Sequence, residues 1–368
     1  MNNTLYLLHT NSWLDNNENP LDDHFTFMAY NFIKYGLVDS AIFLRHQSVG
    51  RPDWKPENDK TLELEEGNIH VLCKEDPIEF INDSGGGYVY FWGAATKNEW
   101  DKFRRLDSNS FVLVNPMFNG IHHENYMDPD VHHFAIPEGA GFQDCFLRAT
   151  VPDNIPCAVN HYTSETFLHP YECEKVYDWI WVSTFDPRKS HIDFLRSIVN
   201  TPNARNLKGC FVGPKPQVGK KPYPKYEFHK SMENNYHAVR DIVGELDTVD
   251  IHLSLKDLDE VKKMMSKSKI FINLSQADNG PRAASEAALC GLPILTMPHI
   301  GAADLVIPGI TGEIINDRNQ AGSALLHMIE NYDQYDRHRN VDLLKPENVY
   351  PDLIERIKHE QDLRSRAG

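Results

Sequence analysis

The sequence lacks the cysteine spacing of a disulfide framework or a zinc site. Its six cysteines are scattered and form no CxxC pair (Cys73, Cys145, Cys157, Cys173, Cys210 and Cys290), which is typical of free thiols in a reducing compartment. The sequence also has no run of eighteen apolar residues, and residues 1–17 have no basic segment before their short apolar run. We therefore expect neither a membrane span nor a signal peptide, and we predict a cytoplasmic protein.

Positive charge is scarce as well. The chain has 37 Lys and Arg residues against 53 Asp and Glu residues, a formal net charge of −16. Nucleic-acid-binding surfaces need stripes of Lys and Arg to contact phosphates, so we do not expect nucleic acid as a partner. Residues 214–230 are locally basic and suit a small anionic ligand.

Strand and helix patterns alternate along the chain. Residues 4–9 and 40–46 are short apolar runs that flank a helical pattern at 22–37, and the alternation restarts at 179–184. This order predicts parallel, doubly wound sheets, and 368 residues favour two domains. We predict a Rossmann-like domain at 1–160, a second at 161–345, and a final amphipathic helix at 346–368 that packs back on the first domain.

The stretch NLSQADNGPRAASEAALCGLP, residues 273–293, predicts a strand, a loop and a helix. Pro281 suits the first helical position, with Asn279 or Gly280 as the cap. Gly291 followed by Pro293 predicts the end of the helix. The loop follows the carboxyl end of a parallel strand, where ligands bind in open α/β sheets.

Three polar residues of this stretch suggest what the ligand is. A helix N-terminus suits a phosphate, and Arg282 adds a positive charge there. Glu286 shares a helix face with Arg282 and can accept hydrogen bonds from the hydroxyls of a ribose. Asp278 can accept hydroxyls at the other end of such a ligand. Each residue also has a simpler interpretation: Glu286 as a solvated helix residue, Asp278 as a capping acid, and Arg282 as the ion-pair partner of Glu286.

The spacing Asp278-x7-Glu286 resembles the E-x7-E region of the retaining GT-B glycosyltransferases, the glycosyl transferases group 1 or family 4-like proteins. The residues in register with the family pattern are Gly280, Glu286, Ala287, Gly291, Pro293, Gly309, Thr311 and Gly312. Upstream, WVSTFDPRKSHIDFLRSI resembles the phosphate-binding entry to the second domain of that family, with Lys189 at the position of its diphosphate-binding lysine. The resemblance covers residues 150–330.

The resemblance implies a GT-B fold, two Rossmann-like domains with a cleft between them. It implies a retaining, hexosyltransferase-like enzyme that uses a nucleotide-diphosphate sugar as substrate, without a metal and without a cofactor. The acceptor is open: a glycan, a lipid, a protein or a small molecule. The catalytic residues implied are Lys189, Asp278 and Glu286. The donor-binding residues implied are Thr184, Arg188, Asn279, Gly280, Pro281 and Arg282.

The sequence departs from the family pattern at several positions. Asp278 replaces a glutamate, Pro281 removes an N–H group that could bind phosphate, and Thr184 stands where the family has an arginine, for which Arg188 or Arg282 can substitute. These departures leave alternatives open. One is a nucleotide-sugar epimerase or a phosphorylase on the same architecture, although no lysine motif for pyridoxal is found. Others are a non-catalytic homologue that binds a glycan or a partner, and a transferase acting on nucleic acid.

A histidine-rich stretch, NGIHHENYMDPDVHH, spans residues 119–133. Adjacent histidines of an extended chain point to opposite sides, and the stretch has no HxH or HxxxH spacing, so no metal site is predicted. Because the stretch follows a predicted strand of the first domain, His122 and His123 are candidates for contact with the acceptor or the transferred sugar. A plain surface loop is the simpler interpretation.

Overall fold

The structure is a computed structural model. It describes residues 2–8, 20–45, 59–92, 101–115, 133–135, 164–216, 226–253, 257–276, 282–298 and 301–367. The described chain divides into two compact units. The first contains the residues up to 135, residues 164–165 and residues 346–367, and the second contains residues 166–345.

The first unit is built on one sheet. Its strands are β1 (Thr4–Leu8), β2 (Ser40–Arg45), β3 (Lys60–Leu64), β4 (Gly67–Cys73), β5 (Tyr88–Trp92), β6 (Phe111–Asn115) and β7 (His133–Ala135). Their order in the sheet is β3-β4-β2-β1-β5-β6-β7. The pairs from β4 to β7 are parallel, as predicted. β1 is a continuous apolar run with Leu5, Tyr6 and Leu7 buried, which is typical of a strand covered on both faces.

One edge of this sheet carries an antiparallel pair that the sequence did not predict. β3 pairs antiparallel with β4, because a two-residue connection, Glu65 and Glu66, can join only antiparallel strands. Partly buried and exposed residues alternate along β3. This alternation is typical of a strand with one solvated face.

Within the described residues, the helices of the first unit include α1 (His24–Lys34), α2 (Pro77–Asp83) and α9 (Pro346–Ala367). Asp23 caps α1, since its Oδ1 accepts a hydrogen bond of 2.9 Å from the Thr26 amide. α9 contributes apolar side chains to the core of this unit. The ring of Tyr350 meets Phe32 edge-on at 5.5 Å, and Leu353 and Ile357 are buried in the same core.

The second unit contains a parallel sheet. Its strands are β8 (Tyr177–Val182), β9 (Gly209–Gly213), β10 (Val249–Leu253), β11 (Ser268–Asn273), β12 (Ile294–Thr296) and β13 (Gly312–Ile314). Their order is β10-β9-β8-β11-β12-β13, and these neighbours pair in parallel. The chain therefore runs outward from β8 to β10 and then returns to the other side of β8 with β11.

Helices cover both faces of this sheet. They are α3 (His191–Asn200), α4 (Tyr226–Val243), α5 (Leu258–Ser266), α6 (Arg282–Leu289), α7 (Ala321–Glu330) and α8 (Arg339–Leu344). Alternate residues of β8 face opposite sides: Trp179 and Trp181 pack in one core cluster, and Ile180 packs in the other. The predicted doubly wound α/β architecture is confirmed for this unit.

Two further features were predicted from composition. Among the described residues, no helix combines the length and the apolar character that crossing a membrane requires. The described cysteines, Cys73, Cys173, Cys210 and Cys290, are free thiols. Cys145 and Cys157 lie outside the described residues.

Candidate functional site

The site forms where the strand order of the second sheet reverses. β8 and β11 are neighbours, with Trp179 opposite Ile270, and the chain leaves them toward opposite edges of the sheet. Such a switch point leaves a crevice outside the carboxyl ends of the two strands, where ligands of doubly wound folds bind. The loops that follow the two strands are joined by a backbone hydrogen bond of 2.7 Å from the Gln276 amide to the Arg188 carbonyl.

The loop after β8 contains a short 3-10 helix, Pro187–Lys189, capped by Asp186. The Asp186 carboxylate accepts from the Arg188 amide at 2.9 Å, from Arg188 Nε at 3.0 Å and from Arg188 Nη2 at 2.6 Å. Burial acts to raise the pKa of Asp186, but the hydrogen bonds from Arg188 outweigh it and leave the pKa below its usual value. Asp186 is therefore an ionised partner that fixes the orientation of Arg188.

The other predicted site residues of this loop, Lys189 as catalytic and Thr184 as donor-binding, lie beside the Arg188 pair. Lys189 ends the 3-10 helix, and its amide donates to the Asp186 carbonyl at 2.9 Å. Thr184 is exposed, and its carbonyl accepts a hydrogen bond of 3.0 Å from Ser183 Oγ. The structure thus brings Thr184, Arg188 and Lys189 together in one loop at the switch point.

α6 brings Arg282 and Glu286 together. Arg282 Nε lies 2.9 Å from Glu286 Oε1, and the side chains are 37% and 4% exposed. The small residues Ala284, Ala287 and Ala288 are buried, and their size allows this helix to pack closely on its neighbours. Burial raises the pKa of Glu286 above its usual value, and Arg282 offsets part of that increase. Glu286 is not a solvated helix residue.

The end of α6 is as predicted. Gly291 has φ +72°, a left-handed conformation that glycine adopts without steric cost. Its amide donates to the Ala288 carbonyl at 2.9 Å, and the Leu292 amide donates to the Ala287 carbonyl at 3.0 Å. This is the Schellman pattern of a helix C-terminus.

The downstream motif around Thr311 forms a turn. Thr311 is buried; its Oγ1 accepts from the Ile307 amide at 2.8 Å and donates to the Leu305 carbonyl at 3.1 Å. A side chain at Gly312 would overlap the Ile294 backbone. These contacts show that Thr311 and Gly312 shape the turn itself.

Several predicted residues lie outside the described part of the chain. They are Asp278, Asn279, Gly280 and Pro281 before α6, and His122 and His123 after β6. Within the described residues, no group of three or more His, Cys, Asp or Glu side chains is arranged to hold a metal ion.

Sequence reasoning missed residues that shape the site. Asn235 is buried, and its Nδ2 donates to the Phe185 carbonyl at 3.0 Å. Arg318 donates to the carbonyls of Leu274 and Ser275 at 3.0 and 3.3 Å, which holds the end of β11. These partners are far apart in the sequence, so no local pattern reveals them. Asp186 was also missed, although an Asp before Pro187 is a recognisable cap signal.

Comparisons with known proteins agree with this geometry. Residues 172–340 match the family model for glycosyl transferases group 1. The solved OtsA apo structure has a TM-score of 0.59 and 11% identity, covering 98% of this chain and 97% of its own. The structure of Anabaena HepE in complex with UDP and glucose matches with a TM-score of 0.54 and 12% identity. The match covers 99% of this chain and 98% of the HepE chain.

A third solved structure has the same likeness over its whole length. The UDP-forming alpha,alpha-trehalose-phosphate synthase of Burkholderia vietnamiensis matches with a TM-score of 0.58 and 9% identity. The match covers 98% of this chain and 100% of the synthase chain. No curated protein matches this chain in sequence. The predicted resemblance and the predicted GT-B fold are confirmed.

Proposed function

We propose that this GT-B-fold chain, whose second unit carries the group 1 match, transfers a sugar from a nucleotide-diphosphate sugar to an acceptor, with retention of configuration and without a metal. One observation carries the proposal. The buried Glu286 carboxylate lies one helical turn from Arg282 on a helix that follows β11. The loop carrying Arg188 and Lys189 is joined to the end of the same strand.

In this proposal, Glu286 binds the ribose of the donor. A carboxylate has two acceptor oxygens, and Arg282 approaches Oε1. Burial removes the water that would otherwise solvate the carboxylate, so hydroxyl donors of a ribose gain a charge-assisted hydrogen bond there. Arg282 orients the carboxylate and stabilises its ionised form.

The basic residues of the two loops bind the diphosphate. Glycosyl transfer puts negative charge on the leaving diphosphate, and fixed positive groups stabilise that charge most effectively. Arg188 and Arg282 are each paired with a carboxylate, yet their side chains are 48% and 37% exposed. A diphosphate can therefore reach each guanidinium while the carboxylate holds its orientation. Lys189 supplies a third positive charge in the same loop.

Other parts of the proposal rest on the sequence resemblance. Asp278 contacts the transferred sugar, and Thr184, Asn279, Gly280 and Pro281 bind the donor. His122 and His123 are proposed for the acceptor or the sugar. No cofactor takes part, the acceptor is unassigned, and the cytoplasm remains the proposed location. HepE was solved with UDP and glucose, which makes a uridine donor the first to test.

The experiment is a calorimetric titration of the full chain with UDP, GDP, ADP, TDP and CMP, first without metal and then with Mg²⁺. Metal-independent micromolar binding of one diphosphate is the expected result. Binding to none of them would contradict the proposal and favour a non-catalytic homologue. If a nucleotide sugar is converted to a rearranged free sugar without an acceptor, the enzyme is an epimerase. The anomeric configuration of a transferred sugar, read by NMR, tests retention.

A further inference from the structure

His191, the first residue of α3, is a buried histidine next to the proposed diphosphate loop. It is 1% exposed. Its ring packs among the aromatic rings of Trp181, Phe185 and Phe211, at centroid distances of 4.9, 5.4 and 5.5 Å. An apolar ring would fill this aromatic environment without the cost of burying polar nitrogens, so the nitrogens of His191 need an explanation.

One ring nitrogen links the two ends of the loop. His191 Nε2 lies 2.9 Å from Ser183 Oγ, and Ser183 Oγ donates to the Thr184 carbonyl at 3.0 Å. A carbonyl can only accept, so the single hydroxyl hydrogen of Ser183 is used there. Nε2 must therefore carry the proton and donate it to Ser183 Oγ, which fixes the tautomer of the ring.

The hydrogen bond between His191 and Ser183 spans the whole loop between β8 and α3. Ser183 is the first residue after β8, and His191 is the first residue of α3. Arg188 and Lys189 lie between them, so the bond closes the loop that carries both. The loop is also attached at its middle, through Asn235 to the Phe185 carbonyl and through Gln276 to the Arg188 carbonyl.

The entry into α3 has backbone hydrogen bonds but no side-chain cap among the described residues. Ser190 occupies the N-cap position with φ +62°, a conformation that non-glycine residues rarely adopt. Its side chain makes no capping bond, and its buried Oγ has no partner within the described part of the chain. The neighbouring bond from His191 to Ser183 supplies a side-chain contact next to this uncapped residue.

His191 acts here as a neutral donor. Burial lowers its pKa to about 3, with Lys189 acting in the same direction and Asp186 in the opposite one. The ring is therefore uncharged at neutral pH and does not titrate in the physiological range. Trp181, Phe185 and Phe211, which pack against it, bring no charge.

We propose that His191 is a positioning residue for donor binding: through Ser183 it holds the two ends of the loop together and fixes Arg188 and Lys189 for the diphosphate. This inference rests on the proposed function and adds to it a residue that contacts no substrate. It assigns the role to Nε2 alone. Nδ1 is buried and has no partner among the described residues.

The two nitrogens can be separated by substitution. The amide of a glutamine places a donor near the position of Nε2, and the shorter amide of asparagine places one near Nδ1. The variants are therefore His191→Gln, His191→Asn and His191→Phe, with His327→Gln, at an exposed position of α7, as a control. Each is titrated with UDP and with uridine, and its thermal unfolding is measured; if another base binds the wild type, the corresponding pair replaces them.

We expect His191→Asn and His191→Phe to weaken UDP binding about tenfold, the effect of losing one hydrogen bond, and to leave uridine binding unchanged. His191→Gln should restore most of the UDP affinity, and His327→Gln should match the wild type. Rescue by asparagine instead of glutamine would assign the role to Nδ1 and overturn the proposal. Equal weakening of UDP and uridine would also overturn it, because that result indicates only a general loss of folding.

A second readout needs no nucleotide. Hydrogen exchange of the peptide covering residues 183–191 should accelerate in His191→Asn and His191→Phe and stay slow in His191→Gln. Unchanged exchange in all three variants would show that the bond does not hold the loop. If exchange changes as expected but the wild type binds no diphosphate, the loop closure stands and the proposed function, with the donor role of His191, fails.

Discussion

Arg282 Nε lies 2.9 Å from Glu286 Oε1, and the two members of this pair differ in environment: the cation is 37% exposed and the anion 4%. The cost of burying the carboxylate is offset only in part, since the pKa of Glu286 remains raised. A buried ion pair is weak evidence for stability by itself. Its place on the helix that follows β11, at the switch point of the second sheet, is the reason for the proposed binding role of Glu286.

The first prediction concerns the affinity of the site for a nucleotide. Glu286→Gln keeps the size of the side chain but removes its charge, so the charge-assisted hydrogen bonds to a ribose weaken. We expect nucleotide binding to lose about 1.5–3 kcal/mol, measured by calorimetric titration. Glu330→Gln, at the exposed end of α7, is the control. An unchanged affinity in Glu286→Gln would remove Glu286 from the site.

The second prediction concerns the pH dependence of stability. The folded-state pKa of Glu286 is raised by burial above the usual value of 4.5, so between these two pKa values the folded protein binds more protons than the unfolded chain. The contribution of Glu286 to the free energy of unfolding is therefore fully present below its pKa in the unfolded chain. It is lost as the pH rises through its pKa in the folded protein. Urea unfolding of the wild type and of Glu286→Gln from about pH 4 to about pH 7 measures it.

The difference in unfolding free energy, wild type minus variant, should fall over that range. Glu286→Gln has no titrating group at this position, so the slope of the difference comes from the wild type, and it already includes the pH-dependent ion pair of Glu286 with Arg282. A difference that stays flat or rises with pH would show that Glu286 titrates at or below its usual pKa.

The third prediction concerns turnover. Lys189→Ala removes a positive charge from the loop after β8, and that charge is proposed to stabilise the leaving diphosphate. Removing one such group typically costs about 10²–10³ in kcat, while the melting temperature should change little because the side chain is partly exposed. The measurement is steady-state transfer with the donor identified by titration, with Lys208→Ala as the control. Normal activity at equal thermal stability would count against a phosphate role.

The fourth prediction concerns the fold that positions the site. A side chain at Gly209, in β9, would overlap the buried ring of Trp179 in β8. Gly209→Ala should therefore destabilise the second unit by about 1–3 kcal/mol or more, read as a lower urea midpoint. Gly244→Ala is the matched control, because a side chain there meets the neighbouring carbonyls only at 3.4 Å. Equal midpoints for the two variants would show that the sheet accommodates the clash.

The sequence predicts what is local and periodic. The burial of Glu286 follows from its place among Ala284, Ala287 and Ala288, and the end of α6 follows from Gly291. The parallel strands follow from apolar runs that alternate with helical patterns. The β3–β4 hairpin was missed, although Gly67 and Asn68 directly follow its two turn residues, Glu65 and Glu66.

The rest of the site depends on contacts between distant parts of the chain. Asn235 reaches Phe185, and Arg318 reaches Leu274, across 50 and 44 residues. Spacing rules describe neighbours on one helix or strand, so they carry no information about such pairs. The bond from His191 to Ser183 is closer in the sequence, but its role is visible only once the tautomer can be deduced from the Thr184 carbonyl.

The placement of α9 has a consequence for biosynthesis. Tyr350, Leu353 and Ile357 complete a core whose other members, such as Phe32, come from the start of the chain. During translation the ribosome delivers every residue of the second unit before these side chains emerge. Domains usually finish folding in the order in which they are made, at about 5–20 residues per second. Here the residues of the first unit that precede the second unit wait on the order of tens of seconds for α9, with apolar surface that a chaperone can recognise in the meantime.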